Sequence, residues 1–429
     1  MSAGSIRDQM FLRLNQRFFY GWVILAVAAL GIFASGPGQS HTFSVFVGPI
    51  SADLGIASTT IASAYGLATL VAALLLPQMG RLVDRRGART MSLVVAVLLG
   101  LACLFFGAAA NVLWLGVGFA ALRFLGQGSL MLNCANLVSQ WFSRKRGFAL
   151  SLMALGFSAS MAVHPRAAQW LIDTVGWREA WVWMGVLTWL LLVPPILLLV
   201  YNKPEDLGLR PDGEAAPPPG AADVGGGTAD AGLTLREALR TSTFYIVAIG
   251  LFSLSMLVTA LHFYQVSIFG AHGIGPVVAS QVFTISAATM VAAMPIIGRM
   301  LDRFRTEWMF AGGLLVMVLS LVAAAMVKDV PTAIAYSVVF GLNNALTMTF
   351  FAFLWPRYFG RRHLGSIQGT GQMIGVVGAS VGPLPLGIYF DLFGVYDPML
   401  FGLALFPAAC AVLALFLRAP ASTAHLTGR

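Results

Sequence analysis

Ionisable side chains stand where water should not reach. Arg123, Arg166, His41 and His262 all fall inside long apolar runs of the chain. A lone charge in an apolar medium is costly, so a cation kept there marks either a function or a buried hydrogen-bond anchor. A guanidinium offers a fork of donors that matches a carboxylate. An imidazole changes charge between about pH 5 and 8 and can carry a proton. Anion binding and proton transfer are therefore the chemistry on offer. No Asp or Glu lies deep in any apolar run, since Asp53, Asp173, Asp391 and Asp397 sit at their ends. A moving proton must then ride on a histidine or on the bound molecule itself. Tyr65, Asn133, Tyr264, Gln265, Asn343, Asn344 and Gln372 add polar groups to the same runs. Each could be a ligand or an interhelical hydrogen bond.

The elements that must position these groups are membrane-crossing helices. The 429 residues are 58% hydrophobic and only 10% charged, too apolar for a water-soluble fold of this size. Twelve apolar runs reach the length of a crossing: roughly 20–47, 58–79, 91–110, 112–140, 148–172, 178–200, 243–269, 277–297, 308–327, 332–356, 364–390 and 396–417. Gly36-Pro37-Gly38 interrupts the first. The expected fold is an all-α membrane protein of twelve transmembrane helices in two pseudo-symmetric six-helix bundles. The halves are expected at 1–200 and 243–418, with a linker at 201–242 and a tail at 419–429. Pro217-Pro218-Pro219-Gly220 and Gly225-Gly226-Gly227 give that linker the composition of a flexible tether. Residues 234–240 read as a short amphipathic surface helix.

A repeat supports the division. Gly80-Arg81-Leu82-Val83-Asp84-Arg85 returns as Gly298-Arg299-Met300-Leu301-Asp302-Arg303, at an offset of 218. The same offset maps Pro77 on Pro295, Pro165 on Pro383, Asp173 on Asp391 and Gly176 on Gly394. Repeats of this size in an apolar chain point to a transporter of two related bundles, with the substrate passing between them.

Basic residues set the orientation. With the N-terminus inside, 22 of the 26 Lys and Arg fall on inner loops and ends, and only Arg178 and Lys328 fall outside. Both termini are expected in the cytoplasm. The net charge of +9 is thus a topology signal, and no nucleic-acid partner is expected because the basic residues are scattered over short loops. The N-terminal run is too long for a cleavable signal. Cys103, Cys134 and Cys410 lie in predicted crossings with no metal spacing, and read as small core residues. No nucleotide loop, paired catalytic carboxylates or metal-ligand cluster occurs, so neither a cofactor nor an enzyme activity is expected.

Residues 80–89, GRLVDRRGAR, resemble the signature loop of the major facilitator superfamily, and the resemblance extends over the chain. It implies a clamp on the cytoplasmic side. Gly80 would permit close packing, and Asp84, Arg85 and Arg89, with Asp302 and Arg303 in the second copy, would form a gating network. Tyr20-Gly21-Trp22, the Trp141-Phe142 loop with Arg144 and Arg146, and Gly176-Trp177-Arg178 after helix 5 are similar to the monocarboxylate transporter family and its bacterial organic-acid relatives of the oxalate-formate antiporter type. That family moves small carboxylates, commonly with a proton. Its frequent first-helix Lys falls on His41. Its helix 8 Asp and Arg fall on Met290 and Met294, so both charges are missing here.

The resemblance implies a secondary transporter of a small organic anion, a monocarboxylate, working by alternating access with protons, as a monomer in a bacterial inner membrane. The competing readings are an anion exchanger, an exporter of amphiphilic compounds served by Met290 and Met294, and a transport-derived sensor. Arg123 would bind the anion or brace backbone carbonyls. Arg166, whose repeat mate is Leu384, and its neighbour His164, whose mate is Gly382, are additions to the shared scaffold. Arg166 would contact the substrate, gate the outer side or reach the outer surface.

Overall fold

The computed structural model describes residues 11–13, 15, 16, 18–142, 145–213, 233–359 and 364–418. Among them every regular element is helical. The proline and glycine runs of the linker, at 217–220 and 225–227, lie outside the described residues.

In the first half, α1 spans Gly21–Ala34, a 3-10 turn follows at Gly36–Gly38, then α2 at Ser40–Phe43 and α3 at Val47–Leu54. α4 is Ser58–Arg86 and α5 is Ala88–Gly107. α6, Val112–Leu122, runs through a π-helical segment, Arg123–Leu130, into α7, Met131–Trp141. α8 is Arg146–Met153, α9 Leu155–Val175 and α10 Trp177–Leu199. In the second half, α11 is Leu235–Ala238, α12 Ser242–Ala271, α13 Pro276–Arg303, α14 Thr306–Ala325, α15 Val330–Phe359, α16 Leu364–Val381, α17 Pro383–Phe393 and α18 Asp397–Ala414.

Eleven helices among the described residues are long and apolar enough to cross a membrane. The first crossing is the exception, because α1 has 14 residues and cannot span alone. It is completed in pieces by the turn, α2 and α3, and continues past the expected end at 47. The eleventh remains one long crossing, Gly369–Phe393, with the single residue Gly382 between α16 and α17 keeping helical backbone angles. The fold is the expected all-α, twelve-crossing membrane architecture.

The chain forms two compact units, Met1–Leu54 with Leu67–Gly220, and Gly55–Gly66 with Ala221–Arg429. In the first, α5 lies along α10, and α1 packs on α7 and α9. In the second, α13 lies along α15, α14 along α18 and α12 along α16. Lipid gives helices no hydrophobic drive to associate, so small residues that let backbones approach must supply the contact. A Cβ added to Gly107 would stand 2.6 Å from the Arg178 carbonyl, and one on Gly185 would stand 2.8 Å from the Gly100 carbonyl. One on Gly100 would strike the Trp189 indole. That indole donates to the Val97 carbonyl at 3.0 Å.

The repeat persists down to single hydrogen bonds. Asn111 Oδ1 accepts from Trp114 N at 2.9 Å and caps α6. Its mate Asp329 accepts from Thr332 N at 2.9 Å before α15, and the Thr332 bonds hold its carboxyl below the usual carboxylate range. Gly176 and Gly394 both take positive φ, 84° and 73°. The motifs that mark the family in the sequence are structural ties. Tyr20 donates to the Leu199 carbonyl at 2.8 Å, and Trp141 Nε1 to the Tyr201 carbonyl at 3.2 Å. Arg178 donates to the Ala109 carbonyl at 2.6 Å and pairs with Asp53 at 2.7 Å. It joins the ends of α3, α5 and α10.

The α5–α10 contact makes a direct prediction. Gly100→Val overpacks a site that holds an indole, at a cost of about 1–3 kcal/mol. The purified variant should melt at lower temperature in a fluorescence-detected thermal assay. An unchanged melting temperature would mean that the helices are held elsewhere.

Candidate functional site

In the first unit, the groups singled out by sequence gather at the break in the first crossing. A break inside an apolar medium exposes backbone carbonyls that need donors. Arg123 answers that need. Its side chain is 2% exposed. Nη1 donates to the Gly38 carbonyl at 3.0 Å, and Nε donates to Thr69 Oγ1 of α4 at 3.1 Å. It also opens the π segment, a distortion that frequently marks functional sites. Gly38 must be glycine here, since an added Cβ would stand 2.9 Å from Gln127 N and from Gly126 Cα. Arg123 is thus placed as a brace of the broken helix.

His41 follows in α2 and is 1% exposed. Its Nε2 lies 3.3 Å from Ser160 Oγ of α9, and its ring meets Phe157 edge-on at 5.6 Å. Ser160 Oγ lies 3.1 Å from His164 Nδ1. The His164 ring packs on Gly36, where any Cβ would collide with it, and lies 4.8 Å from the Phe33 ring. Ser160 and Thr69 carry no signal in the sequence. His164 carried one, its glycine mate and its spacing of four from Ser160.

Arg166 is placed differently from Arg123. It is exposed, on the stripe of α9 that also exposes Val163 and Trp170, away from the core of its own unit. It has no hydrogen bond or ion pair among the described residues. The two intramembrane arginines therefore separate into one committed and one free guanidinium. Asn133 is buried and, with its amide turned to satisfy both ends, donates to the Ser129 carbonyl at 3.2 Å and accepts from Ser92 N at 3.3 Å. It is occupied as a tie between α7 and α5.

In the second unit, α12 runs unbroken past the corresponding position, and its Gln265 bonds to α13 and α15. His262 is buried, its ring 4.8 Å from Phe340 and 6.1 Å from Phe283. Gln265 donates to the Ala279 carbonyl at 3.1 Å and accepts from Tyr336 at 3.3 Å. Asn344 turns back to its own helix, donating to the Phe340 carbonyl at 2.8 Å. Asn343 is fully buried, and neither amide atom has a hydrogen-bond partner among the described residues. Tyr264 donates to the Ser58 carbonyl at 3.2 Å, and Tyr65 lies against Phe263 at 4.6 Å. Gln372 is exposed on α16. Met290 is 1% exposed, and Met294 is half-buried.

At the first of the repeated loops a second glycine, Gly87, is crowded. Among the described residues, a Cβ on Gly80 or Gly298 would meet no atom within 4 Å. The tight position is Gly87, with φ 81° and the Asn202 amide 2.7 Å from an added Cβ. Asn202 Oδ1 accepts from Arg89 N at 2.9 Å, and the Arg89 guanidinium donates to the Leu197 carbonyl at 3.0 Å. Arg85 and Arg303 are exposed. The side chains of Asp84 and Asp302 lie outside the described residues.

Comparisons with known proteins bear on this arrangement. The chain is 27% identical over 383 residues to an uncharacterized 38 kDa protein in the 23S RNA operon of Thermoproteus tenax, covering 87% of this chain and 90% of that one. It is 32% identical over 189 residues to monocarboxylate transporter 11 of Homo sapiens, covering 44% of this chain and 40% of the human protein. A bacterial homolog of the human lysosomal transporter Spinster, solved inward-facing and unoccupied, superposes with a TM-score of 0.71 at 15% identity, covering 96% of this chain and 98% of that one. That likeness is one of fold. The model of the Major Facilitator Superfamily matches residues 22–383 and again 266–429. With two repeated bundles and the signature loop in both, the chain belongs to the Major Facilitator Superfamily.

Proposed function

We propose that this transporter carries a small organic anion, a monocarboxylate, together with a proton, by alternating access. The observation that carries the reading is Arg166. It is a cation on a crossing helix, exposed, and without a partner among the described residues. A guanidinium free to form two parallel hydrogen bonds suits a carboxylate. The family's usual helix 8 arginine is absent, with Met294 in its register, so the anion needs a cation from elsewhere. Partial similarity to a protein named monocarboxylate transporter 11 supports the substrate class. The absence of deep carboxylates leaves the proton to a histidine. His41, beside the broken helix, is the coupling residue, with His262 the counterpart in the second unit. The basic loops favour both termini in the cytoplasm, the Ala-, Gly- and Arg-rich composition favours a bacterial inner membrane, and the unit of transport is the monomer. Exchange of one anion for another would use the same ligand. Export of amphiphilic compounds leaned on Met290 and Met294, and the near-complete burial of Met290 gives that reading little support.

The two arginines are expected to fail in different ways. Arg166→Gln should cut proteoliposome uptake of labelled lactate roughly tenfold or more, by losing a charged hydrogen bond of about 1.5–3 kcal/mol. Its yield and melting temperature should match the parent, and Arg166→Lys should keep part of the uptake. Full uptake by Arg166→Gln would remove it from the site.

Arg123→Gln should instead lower the melting temperature and the yield of folded protein, because the Gly38 carbonyl or Thr69 loses its donor. A variant as stable as the parent but inactive would return Arg123 to the role of anion ligand.

A further inference from the structure

We infer that His164, Ser160 and His41 form a proton relay in which His164 is the entry residue and Ser160 the switch. The inference rests on the proposed proton coupling and assigns it a path. The hydroxyl of Ser160 stands between two imidazoles, 3.3 Å from His41 Nε2 and 3.1 Å from His164 Nδ1. A serine has one proton to donate, so it cannot donate to both rings at once. The backbone decides which ring receives it. His164 Nδ1 also lies 3.2 Å from the Ser160 carbonyl oxygen, which can only accept. Nδ1 of His164 therefore carries a hydrogen. The Ser160 hydroxyl is left to donate to His41 Nε2, which accepts in the tautomer that carries its hydrogen on Nδ1. Direction is thus built into the resting chain, from His164 through Ser160 to His41.

The two rings differ in access. His41 is 1% exposed and enclosed by α2 and α9, whereas His164 is half-buried and its Nε2 makes no hydrogen bond among the described residues. A proton arriving at His164 Nε2 makes an imidazolium. Its Nδ1 proton then moves to Ser160 Oγ while the hydroxyl proton moves to His41 Nε2. His164 ends neutral with its hydrogen on Nε2, Ser160 again holds one proton, and His41 ends as the cation. In that state the His164 Nδ1 lone pair faces the Ser160 carbonyl, an unfavourable opposition of two acceptors. The proton therefore returns unless something stabilises the charge on His41. A bound anion would do so, which ties delivery of the proton to occupancy.

The surroundings supply no competing acid. α1 has no titratable residue, α10 has Arg178 and Glu179 only in its first turn, and α9 has Asp173 nine residues beyond His164. The cations nearby are Arg123, bound to the Gly38 carbonyl three residues before His41, and Arg166, two residues after His164 on α9. Both oppose a second positive charge, so the pair holds one proton.

The test is nitrogen NMR on the full-length protein, labelled with 15N-histidine, in nanodiscs between about pH 5 and 8. His164 should show the Nδ1–H tautomer, and the two rings should respond to a single shared protonation. Ser160→Ala should uncouple them into two independent titrations, and Ser160→Thr, which keeps the hydroxyl, should restore the coupling. Independent titration in the parent protein, or a neutral His164 protonated on Nε2, would overturn the relay. In proteoliposomes given labelled lactate, His164→Gln and Ser160→Ala should lose acid stimulation while counterflow exchange survives. Acid stimulation kept by both variants would also overturn it. If the parent takes up no lactate, the substrate reading fails and the nitrogen spectra alone decide the relay.

Discussion

A hydrogen bond from Arg123 to the Gly38 carbonyl holds the first unit's functional region in place. In hydrocarbon an open backbone carbonyl has no water to turn to, so a broken helix is tolerated only where the protein supplies the missing donor. Arg123 does this from the start of the π segment, and anchors itself on Thr69 of a third helix. The other arrangements follow. Because the chain departs from the helix at Gly36, the His164 ring has a flat backbone to lie on. Because it resumes as α2 at Ser40, His41 faces α9 at the height of Ser160. One charged brace thus fixes two histidines that it does not touch.

The second unit shows what the same scaffold does without the break. Gly341 stands where Arg123 does, Leu384 where Arg166 does and Gly382 where His164 does. α12 continues through the corresponding depth, and its polar residues bond within the unit. Gln265 is taken by Ala279 and Tyr336. The two bundles share caps and positive-φ glycines at their edges. They differ in the middle, where one holds two arginines and the other has Gly341 and Leu384 at the same positions.

Much of this was legible in the sequence, and what was not has physical causes. Crossing helices, the repeat and the interruption at residues 36–38 follow from run length, periodicity and glycine–proline chemistry, which are local properties. The hydrogen-bond partners of Arg123 were not, because only the fold brings the Gly38 carbonyl to face it. Ser160 was invisible, since a small hydroxyl residue in an apolar helix has no sequence mark and gains its importance from two rings on either side. The crowding at Gly87 was hidden for a related reason. Gly80 begins the motif, but Gly87 has the positive φ and the close neighbour, and only the fold shows which glycine is crowded.

The π segment has a consequence for how the two halves may be compared. α6 through α7 covers Val112–Trp141, and α15 covers Val330–Phe359, so the two crossings have equal length and align at the same offset of 218 throughout. Yet a stretch bonded i→i+5 absorbs about one residue more per turn than an α-helix. Beyond Leu130 the first of these crossings is therefore turned and shortened relative to an uninterrupted α-helix of the same number of residues. Asn133 and its mate Phe351 hold equivalent places in the chain, but Asn133 follows a π segment and Phe351 lies in continuous α-helix. The duplication is in register as a text and out of register as a surface, so one bundle can turn a different set of side chains inward without inserting or deleting a residue.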